Sequence, residues 1–134
     1  MKHIHVAVGV IWQDQHILLA LRGAHLHQGG RWEFPGGKVE AQETVLQALQ
    51  RELHEELAIE VTEAAPLMQL RYQYPEKLVL LDVWTVSRFA GEPRGVEGQP
   101  LRWVPVAQLA DYHFPDANQP IVERILQDAG VLSK

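Results

Sequence analysis

The stretch GKVEAQETVLQALQRELHEELAI (37–59) contains the helix around which we expect the fold to form. Its apolar residues recur at helical spacing and predict one buried face over residues 45–57, made of Val45, Leu46, Leu49, Leu53 and Leu57. Thr44 precedes this run and is a suitable N-cap, because its hydroxyl can accept from a free amide of the first turn. We therefore expect an amphipathic helix that packs its leucines against a β-sheet.

Three glutamates form a stripe beside that buried face, since Glu52, Glu55 and Glu56 stand at i, i+3 and i+4. Like charges at this spacing destabilise a helix by roughly 0.2–0.5 kcal/mol per pair, and the negative end of the helix dipole adds to the repulsion. Selection for stability alone would disfavour such a stripe. We infer that a positive group lies against it, at the edge of the buried face, where a cleft is expected.

The composition restricts the classes of protein that fit. With 134 residues, 46% hydrophobic and 22% charged, we expect a single domain over residues 1–134 with its own core. The net charge of −5 gives no reason to expect a nucleic acid polymer or an anionic membrane as partner. The absence of cysteine excludes disulfides and thiolate chemistry and is compatible with a cytoplasmic location. No apolar run is long enough to predict a membrane-spanning helix.

Strands are predicted on both sides of the central helix. Apolar or alternating segments indicate strands at 3–12, 16–22, 32–34, 67–74, 77–89 and 101–104. The segments between them predict loops at 23–31, 35–44 and 90–100, and the histidines of HLH (25–27) are expected to be exposed. A short helix is expected near 105–112 and a C-terminal helix over 118–130, capped by Asn118. Strands without regular βαβ spacing argue against a Rossmann sheet and favour another α/β arrangement.

The clustered carboxylates favour a hard divalent cation. Oxygen ligands without cysteine suit Mg²⁺ or Mn²⁺ better than Zn²⁺, and Mg²⁺ in such sites commonly acts together with substrate phosphates. The glycine pair Gly36 and Gly37 permits close backbone approach and can offer a carbonyl oxygen to the same ion. Arg51 can hold an acid in place or contact phosphate. Together these residues favour metal-assisted displacement at phosphorus, with water as the nucleophile.

Residues 37–59 resemble the Nudix box, G-x5-E-x7-R-E-U-x-E-E-x-G-U, in which U is an aliphatic residue. The matching positions are Gly37, Glu43, Arg51, Glu52, Leu53, Glu55, Glu56 and Ile59. Ala58 departs from the pattern, because the family has glycine there. That glycine ends the helix in a left-handed conformation, in which alanine costs about 1 kcal/mol. The departure removes no metal ligand.

The likeness extends along nearly the whole chain toward the MutT branch of this family, since the segments VAVGVIW, EFPGGK, GEP, EGQP and FPDANQP occur in the same order. The resemblance implies the Nudix fold, a mixed β-sheet sandwiched between helices (α/β/α). It also implies an 8-oxo-dGTP diphosphatase that uses Mg²⁺, with Mn²⁺ able to substitute, and that sanitises the nucleotide pool. We accordingly expect a monomer whose partner is a small nucleotide, with no nucleic acid polymer and no membrane.

The resemblance further implies roles for individual residues. The metal ligands would be the carbonyl of Gly36 and the carboxylates of Glu52, Glu55, Glu56 and Glu97. Either Glu52 or Glu97 would deprotonate the attacking water, while Glu43 and Arg51 would orient the ligands. Four residues would surround the nucleotide, namely Arg22, Phe34, Tyr74 and Asn118.

Asn118 matches the position that reads the oxidised base. 8-Oxoguanine presents N7–H as a donor where guanine has an acceptor, and an asparagine amide can accept from N7–H while it donates to O6. The same residue also fits a plain helix N-cap. Two alternatives to the oxidised purine remain open. One is a pyrophosphatase for CTP, a modified pyrimidine or another nucleotide. The other is a non-catalytic nucleotide sensor, which would be expected to have lost box carboxylates.

Overall fold

The computed structural model describes residues 2–23, 25 and 29–131. Its strands are β1 (Lys2–Gln13), β2 (His16–Leu21), β3 (Trp32–Glu33), β4 (Gly36–Lys38), β5 (Glu60–Gln73), β6 (Lys77–Ala90) and β7 (Leu101–Pro105). Its α-helices are α1 (Val45–Leu57) and α2 (Gln119–Asp128), and 3₁₀ turns cover Val106–Asp111 and Asp116–Asn118. None of the described helices has an apolar stretch long enough to cross a membrane.

The strands form a mixed sheet in the order β3-β2-β1-β6-β5, with β4 paired to β1 and β7 paired to β2. The central pair β1 and β6 is parallel, in a continuous register from Lys2 opposite Lys77 to Ile11 opposite Val86. The other pairings are antiparallel. This mixture confirms the prediction of an α/β sheet that is not of the Rossmann type.

Alternation along β1 sends its side chains into two cores on opposite faces of the sheet. The first core contains Ala7 and Ile11 together with the apolar face of α1, which is Ala48, Leu49, Leu53 and Leu57. The second contains Val8 and Val10 together with Ile121, Val122, Ile125 and Leu126 of α2. Since the two helices cover opposite faces, the sandwich of helices around a sheet is confirmed.

Both ends of α1 follow from local chemistry. The Gln47 amide donates to the Thr44 hydroxyl at 3.1 Å, and the Gln47 side chain accepts from the Thr44 amide at 2.8 Å, so a capping box closes the N-terminus. At the other end Ala58 adopts φ 59° and ψ 33°, the left-handed conformation, and its amide donates to the His54 carbonyl. The predicted Thr44 cap is confirmed, and alanine occupies the strained position that the family gives to glycine.

Two segments differ from the prediction. Gly36–Lys38, predicted as loop, is β4, which pairs with Val6–Val8 across the sheet. β5 begins at Glu60 rather than near residue 67 and includes Pro66. Proline normally argues against a strand because it lacks an N–H. Among the described residues, however, β5 pairs only with β6 and lies at the sheet edge, where a missing donor is tolerated. Of the HLH segment only His25 lies within the described residues.

Replacing Ala58 by glycine should stabilise the protein by about 1 kcal/mol, because glycine adopts φ near 60° without the Cβ clash that alanine suffers. Urea denaturation followed by circular dichroism measures the change. The matched control is Ala129→Gly at the end of α2, where φ is −82° and glycine brings no relief. A loss of stability in Ala58→Gly would contradict the assignment of strain to this residue.

Candidate active site

Arg51 is the positive group that lies against the glutamate stripe. Its Nη1 donates to Oε1 of Glu52 at 2.7 Å and to Oε1 of Glu55 at 2.8 Å. Its Nε and Nη2 donate to the two carboxylate oxygens of Glu43 at 2.7 and 2.9 Å, and Nη2 also donates to the Lys38 carbonyl at 3.0 Å. The inferred cation is therefore confirmed for two of the three stripe glutamates, and it comes from the helix itself.

These contacts fix the charge of the groups involved. Hydrogen bonds from Arg51 and from the Glu40 amide lower the pKa of Glu43 to about 2. The hydrogen bonds to Glu43, Glu52 and Glu55 raise the pKa of Arg51 above its usual range. The Glu43–Arg51 pair is thus ionised throughout the physiological pH range. A permanent ion pair of this kind suits a residue that orients others, and it does not suit a proton carrier.

Glu52 packs its carboxylate against the backbone of Gly37. A Cβ added at Gly37 would overlap the carboxylate carbon and Oε2 of Glu52. Glycine at this position therefore allows α1 to bring the Glu52 carboxylate directly onto β4. Glu55, by contrast, has 54% of its side chain exposed to solvent.

Glu56 lies in a different environment from the other two stripe glutamates. Its Oε1 is buried and has no hydrogen-bond partner among the described residues, although the Gly36 amide bonds to the carboxylate. Burial raises the pKa of Glu56 to about 8, and the charges of Glu52, Glu33 and Glu97 act in the same direction. A buried polar atom without a partner costs about 1–3 kcal/mol. Such an oxygen is also the kind of ligand that a divalent cation takes.

The loop at 91–100 is attached to the C-terminal end of α1. The Val96 amide and the Gln99 side-chain amide both donate to the Glu56 carbonyl, at 3.1 and 3.2 Å. Gln99 Oε1 in turn accepts from the Glu97 amide at 2.9 Å. These bonds satisfy a carbonyl that has no partner within the helix. They also hold Glu97 close enough to Glu56 for its charge to raise the Glu56 pKa.

A cleft of about 910 Å³ adjoins these acids. Its acidic part is formed by three carboxylates and a glycine pair: Glu33, Glu56, Glu97, Gly36 and Gly37. Its apolar wall comes mainly from alternate residues of β1 and β6 and includes Ile4, Val6, Val8, Val79, Leu81 and Ala117. Such a cleft fits a ligand with a flat, weakly polar portion and a polyanionic portion that binds through cations.

Two of the predicted nucleotide-binding residues are aromatic and line this cleft. Phe34 is buried and stacks on Phe114, with ring centroids 5.2 Å apart and 18° between the planes. The Tyr74 ring lies 4.7 Å from that of Tyr72, and the Lys77 ammonium is 5.1 Å from the Tyr74 ring centroid. Burial and the neighbouring Tyr72 raise the pKa of Tyr74, so its hydroxyl stays protonated.

Asn118 lines the cleft and does not cap α2 with its side chain. Its φ of −90° and ψ of −12° are helical, and the side chain makes no capping hydrogen bond. Asn118 occupies the predicted N-cap position, but the predicted capping by its side chain is wrong. The reason is that a 3₁₀ turn, closed by the Asn118 amide on the Pro115 carbonyl at 2.9 Å, leads directly into the helix. Pro120 in the first turn also lacks an N–H that would need a cap.

Glu33 is a cleft acid that the sequence analysis missed. Arg22 Nη1 donates to Glu33 Oε1 at 3.0 Å, and both residues line the cleft. Burial raises the pKa of Glu33, although Arg22 acts in the opposite direction. β3 is only two residues long, so no periodicity in the sequence could show which way Glu33 faces.

The structure separates the predicted site residues into two adjoining groups. Those that line the cleft are Arg22, Phe34, Gly36, Glu56, Tyr74, Glu97 and Asn118. Those that belong to the ion-pair network behind it are Glu43, Arg51, Glu52 and Glu55. Glu52 connects the groups, because it bonds to Arg51 and also contacts Gly37 in the cleft lining.

The donor atoms fit a hard divalent cation. Within residues 2–23, 25 and 29–131, no three acidic or histidine side chains converge into a preformed metal cluster. The buried, unpartnered oxygen of Glu56 nevertheless lies in the field of three other carboxylates. A cation would give that oxygen a partner and reduce the repulsion among the acids. Since the side-chain atoms that could bind a metal here are carboxylate oxygens, ions such as Mg²⁺ and Mn²⁺ suit them.

Comparison with known proteins identifies the family. A model of the NUDIX domain matches residues 7–124. This chain belongs to the Nudix family. It is therefore a Nudix hydrolase, an enzyme of a class that generally needs a divalent metal and acts on a small nucleotide substrate.

Individual relatives agree with this assignment over most of their length. The Nudix hydrolase is 39% identical over 126 residues to the 8-oxo-dGTP diphosphatase of Escherichia coli K12, covering 93% of this chain and 98% of the relative. It is 38% identical over 126 residues to the CTP pyrophosphohydrolase of the same organism, covering 94% and 93%. A solved MutT structure, from work on Aliivibrio salmonicida and Vibrio cholerae, is 41% identical with a TM-score of 0.83 and covers 95% of this chain and 99% of that one. The resemblance to the MutT branch is confirmed.

Replacing Glu56 by glutamine should stabilise the metal-free enzyme increasingly as the pH rises. The carboxyl has a pKa of about 8 when folded, against 4.5 ordinarily, so the folded state retains a proton that the unfolded chain releases. That difference lowers the stability of the wild type as the pH rises from about 4.5 to about 8, by an amount on the order of a few kcal/mol. Glutamine is neutral at every pH and avoids the loss. Thermal melts in EDTA at several pH values measure it.

The control for this prediction is Glu55→Gln. Glu55 is the exposed stripe glutamate, and its replacement weakens one hydrogen bond from Arg51 by removing the charge of the acceptor, without relieving a buried charge. A stability difference between Glu56→Gln and the wild type that does not change with pH would contradict the environment assigned to Glu56.

Proposed function

We propose that this Nudix hydrolase cleaves 8-oxo-dGTP to 8-oxo-dGMP and pyrophosphate with the help of Mg²⁺, for which Mn²⁺ can substitute. The observation that carries the proposal is the position of Asn118, which lines the cleft and whose side chain makes no cap on α2. Relatives named as 8-oxo-dGTP diphosphatases, at 39% and 38% identity, support it. In the cell such an enzyme would remove a mutagenic nucleotide before its incorporation into DNA.

The base would lie against the apolar wall of the cleft, with its oxidised edge toward Asn118. The amide oxygen would accept from N7–H and the amide NH₂ would donate to O6. Unmodified guanine has no hydrogen on N7, so the amide oxygen would face an acceptor and lose its partner. Leaving a buried polar group unpaired costs about 1–3 kcal/mol, and sites built on such pairing can discriminate strongly between substrates.

The triphosphate would lie over the acidic part of the cleft. The carbonyl of Gly36 and the carboxylates of Glu52, Glu55, Glu56 and Glu97 would hold the cations. When bound, these ions neutralise phosphate charge and stabilise the departing pyrophosphate. Glu43 would act through Arg51, by keeping its guanidinium in a position that orients Glu52 and Glu55.

We favour Glu52 over Glu97 as the group that takes the proton from the attacking water. A general base needs a fixed position close to the proton that it removes. Glu52 is held from one side by Arg51 and from the other by the backbone at Gly37, whereas Glu97 lies on an exposed loop. Arg22 and Tyr74 would border the nucleotide between the base and the phosphates, and Phe34 would support the wall.

We further propose that the enzyme acts as a monomer on free nucleotides in the cytoplasm. The net charge of −5 offers no general attraction for a nucleic acid polymer, which supports a small-molecule substrate.

A second candidate substrate class is the pyrimidine nucleotides, including CTP and modified forms. The specific observation that favours it is the CTP pyrophosphohydrolase of E. coli, which matches this chain almost as well as the 8-oxo-dGTP diphosphatase does. A sensor without catalysis is disfavoured, because every box carboxylate is present in the sequence.

The wild type should prefer 8-oxo-dGTP to dGTP and to CTP by well over tenfold in kcat/KM, since the Asn118 amide pairs fully with the oxidised base alone. Asn118→Ala should remove most of that preference and leave kcat on dGTP nearly unchanged. Gln119→Ala is the matched control, as this exposed neighbour does not line the cleft. A preference for CTP would instead indicate a pyrimidine nucleotide as the substrate. If no nucleotide released pyrophosphate, the protein would be a non-catalytic nucleotide sensor.

Glu52→Gln should lower kcat by about 10²-fold or more while the fold survives, because glutamine keeps the shape of the side chain and loses its capacity to accept a proton. Pyrophosphate release under saturating substrate and Mg²⁺ measures kcat, and circular dichroism checks the fold. The control is Glu60→Gln, an exposed acid at the start of β5. Turnover at the wild-type rate in Glu52→Gln would leave Glu97 as the base.

A further inference from the structure

A second group of chemically active side chains lies on the opposite face of β1 from the cleft. Side chains alternate along a strand, and the register of β1 with β6 is unbroken from Lys2 to Ile11. Ile4 and Val6 line the cleft. His3 and His5 therefore share the other face of the same segment.

His5 is held by a buried acid. Asp82 is 7% exposed, and it is the one residue with a charged side chain that is buried in the described part of the chain. One of its carboxylate oxygens contacts Nε2 of His5, and the other accepts from Nε2 of Gln69 at 2.6 Å. An ionised carboxylate can only accept, so Nε2 of His5 carries the hydrogen and donates it.

In the neutral form of the His5 ring, this arrangement leaves the other imidazole nitrogen with a lone pair. In a neutral ring that donates from Nε2, Nδ1 is an acceptor, and Nδ1 of His5 has no partner in the described part of the chain. The side chain is 38% exposed, so solvent and solutes reach it. An imidazole that donates one N–H to a carboxylate and offers its other nitrogen to solvent is the usual form of a metal-binding histidine.

His3 supplies a second imidazole at a suitable spacing. Residues two apart on a strand have their Cα atoms about 6.6 Å apart and their side chains on one face. His3 is exposed. Two imidazoles on one face can bind the same ion, and nitrogen ligands select Zn²⁺, Ni²⁺ or Cu²⁺ over Mg²⁺.

We propose that His3 and His5 bind a transition-metal dication, of which Zn²⁺ is the probe used below, with Asp82 as the residue that positions His5. Water would complete the coordination. The site is separate from the acidic cleft in its ligands and in its preferred ion. Ile4 and Val6 line the cleft from one face of β1, and the bound ion would lie on the other face of the same strand. The proposal does not depend on which nucleotide the enzyme hydrolyses.

Isothermal titration with Zn²⁺ tests this proposal. The protein carries Glu52→Gln and is kept in excess Mg²⁺, so that the acidic cleft does not compete. A histidine-free tag stays on the N-terminus, so that a free α-amine next to His3 cannot act as a ligand. We expect one Zn²⁺ per chain. His3→Gln and His5→Gln should each weaken binding by about tenfold or more, while His113→Gln, at an exposed histidine elsewhere, should leave it unchanged.

The variants are chosen so that loss of binding is not loss of fold. His5→Gln keeps an N–H donor for Asp82, and thermal melts without metal confirm that each variant is folded. Asp82→Asn retains the size of the side chain and weakens the support of His5. Removal of such support from a metal-binding histidine commonly lowers affinity by about 10–100-fold, and we expect a loss in that range.

Cu²⁺ electron paramagnetic resonance gives an independent readout. Nitrogen hyperfine structure should indicate two imidazoles in the parent protein and one in each of His3→Gln and His5→Gln. Absence of Zn²⁺ uptake would overturn the proposal. So would equal affinity in His3→Gln, His5→Gln and His113→Gln, since the ion would then be bound somewhere else.

Discussion

The guanidinium of Arg51 makes the acidic face of α1 possible. It holds Glu43 by two hydrogen bonds, Glu52 and Glu55 by one each, and the Lys38 carbonyl by one more. A planar group with five donors can satisfy several carboxylates at once in a fixed geometry, which a lysine cannot do. Without it, the glutamates would repel one another at the negative end of the helix dipole. The loop before α1 would also lose its main attachment to the helix.

The same network leaves one acid unsatisfied. Arg51 bonds to Glu52 and Glu55, whereas Oε1 of Glu56 is buried without a partner in the described residues. The fold tolerates this cost because the surrounding packing is tight. Small residues let α1 approach the sheet, since a Cβ at Gly9 would lie 3.2 Å from Leu53 and a Cβ at Gly37 would overlap Glu52. With α1 held this close to the sheet, Oε1 of Glu56 stays buried at the expense of stability, and we propose that a divalent cation relieves this cost.

Local patterns in the sequence specified the bounds of α1 and most of its buried face, and the sheet in part; Leu46, predicted on that face, lies outside the core cluster, and Ala48 is buried in it. The leucine spacing, the Thr44 cap and the Nudix box gave the helix and most residues of its acidic face, because all of these lie within one short segment. β4 was missed because its Gly-Gly-Lys sequence resembles a turn and forms a strand only by pairing with Val6–Val8. The early part of β5 was missed because Pro66 is acceptable at a sheet edge, a position that depends on topology. The contact of His5 with Asp82 joins residues 77 positions apart, which no local pattern can show.

The chemistry and the specificity of the site come from different parts of the chain. Arg51 and all of the acids except Glu33, which belongs to β3, come from α1 and from the loops attached to its two ends, so the box alone predicts hydrolysis at phosphorus. The part of the cleft in which we propose that the base binds is built from alternate residues of β1 and β6 and from Asn118, which directly precedes α2 on the opposite side of the sheet from α1. Two E. coli relatives, at 39% and 38% identity to this chain, are named for different nucleotide substrates, 8-oxo-dGTP and CTP. In the function that we propose, the preference for the oxidised purine depends on Asn118, which lines the cleft and makes no side-chain cap on α2.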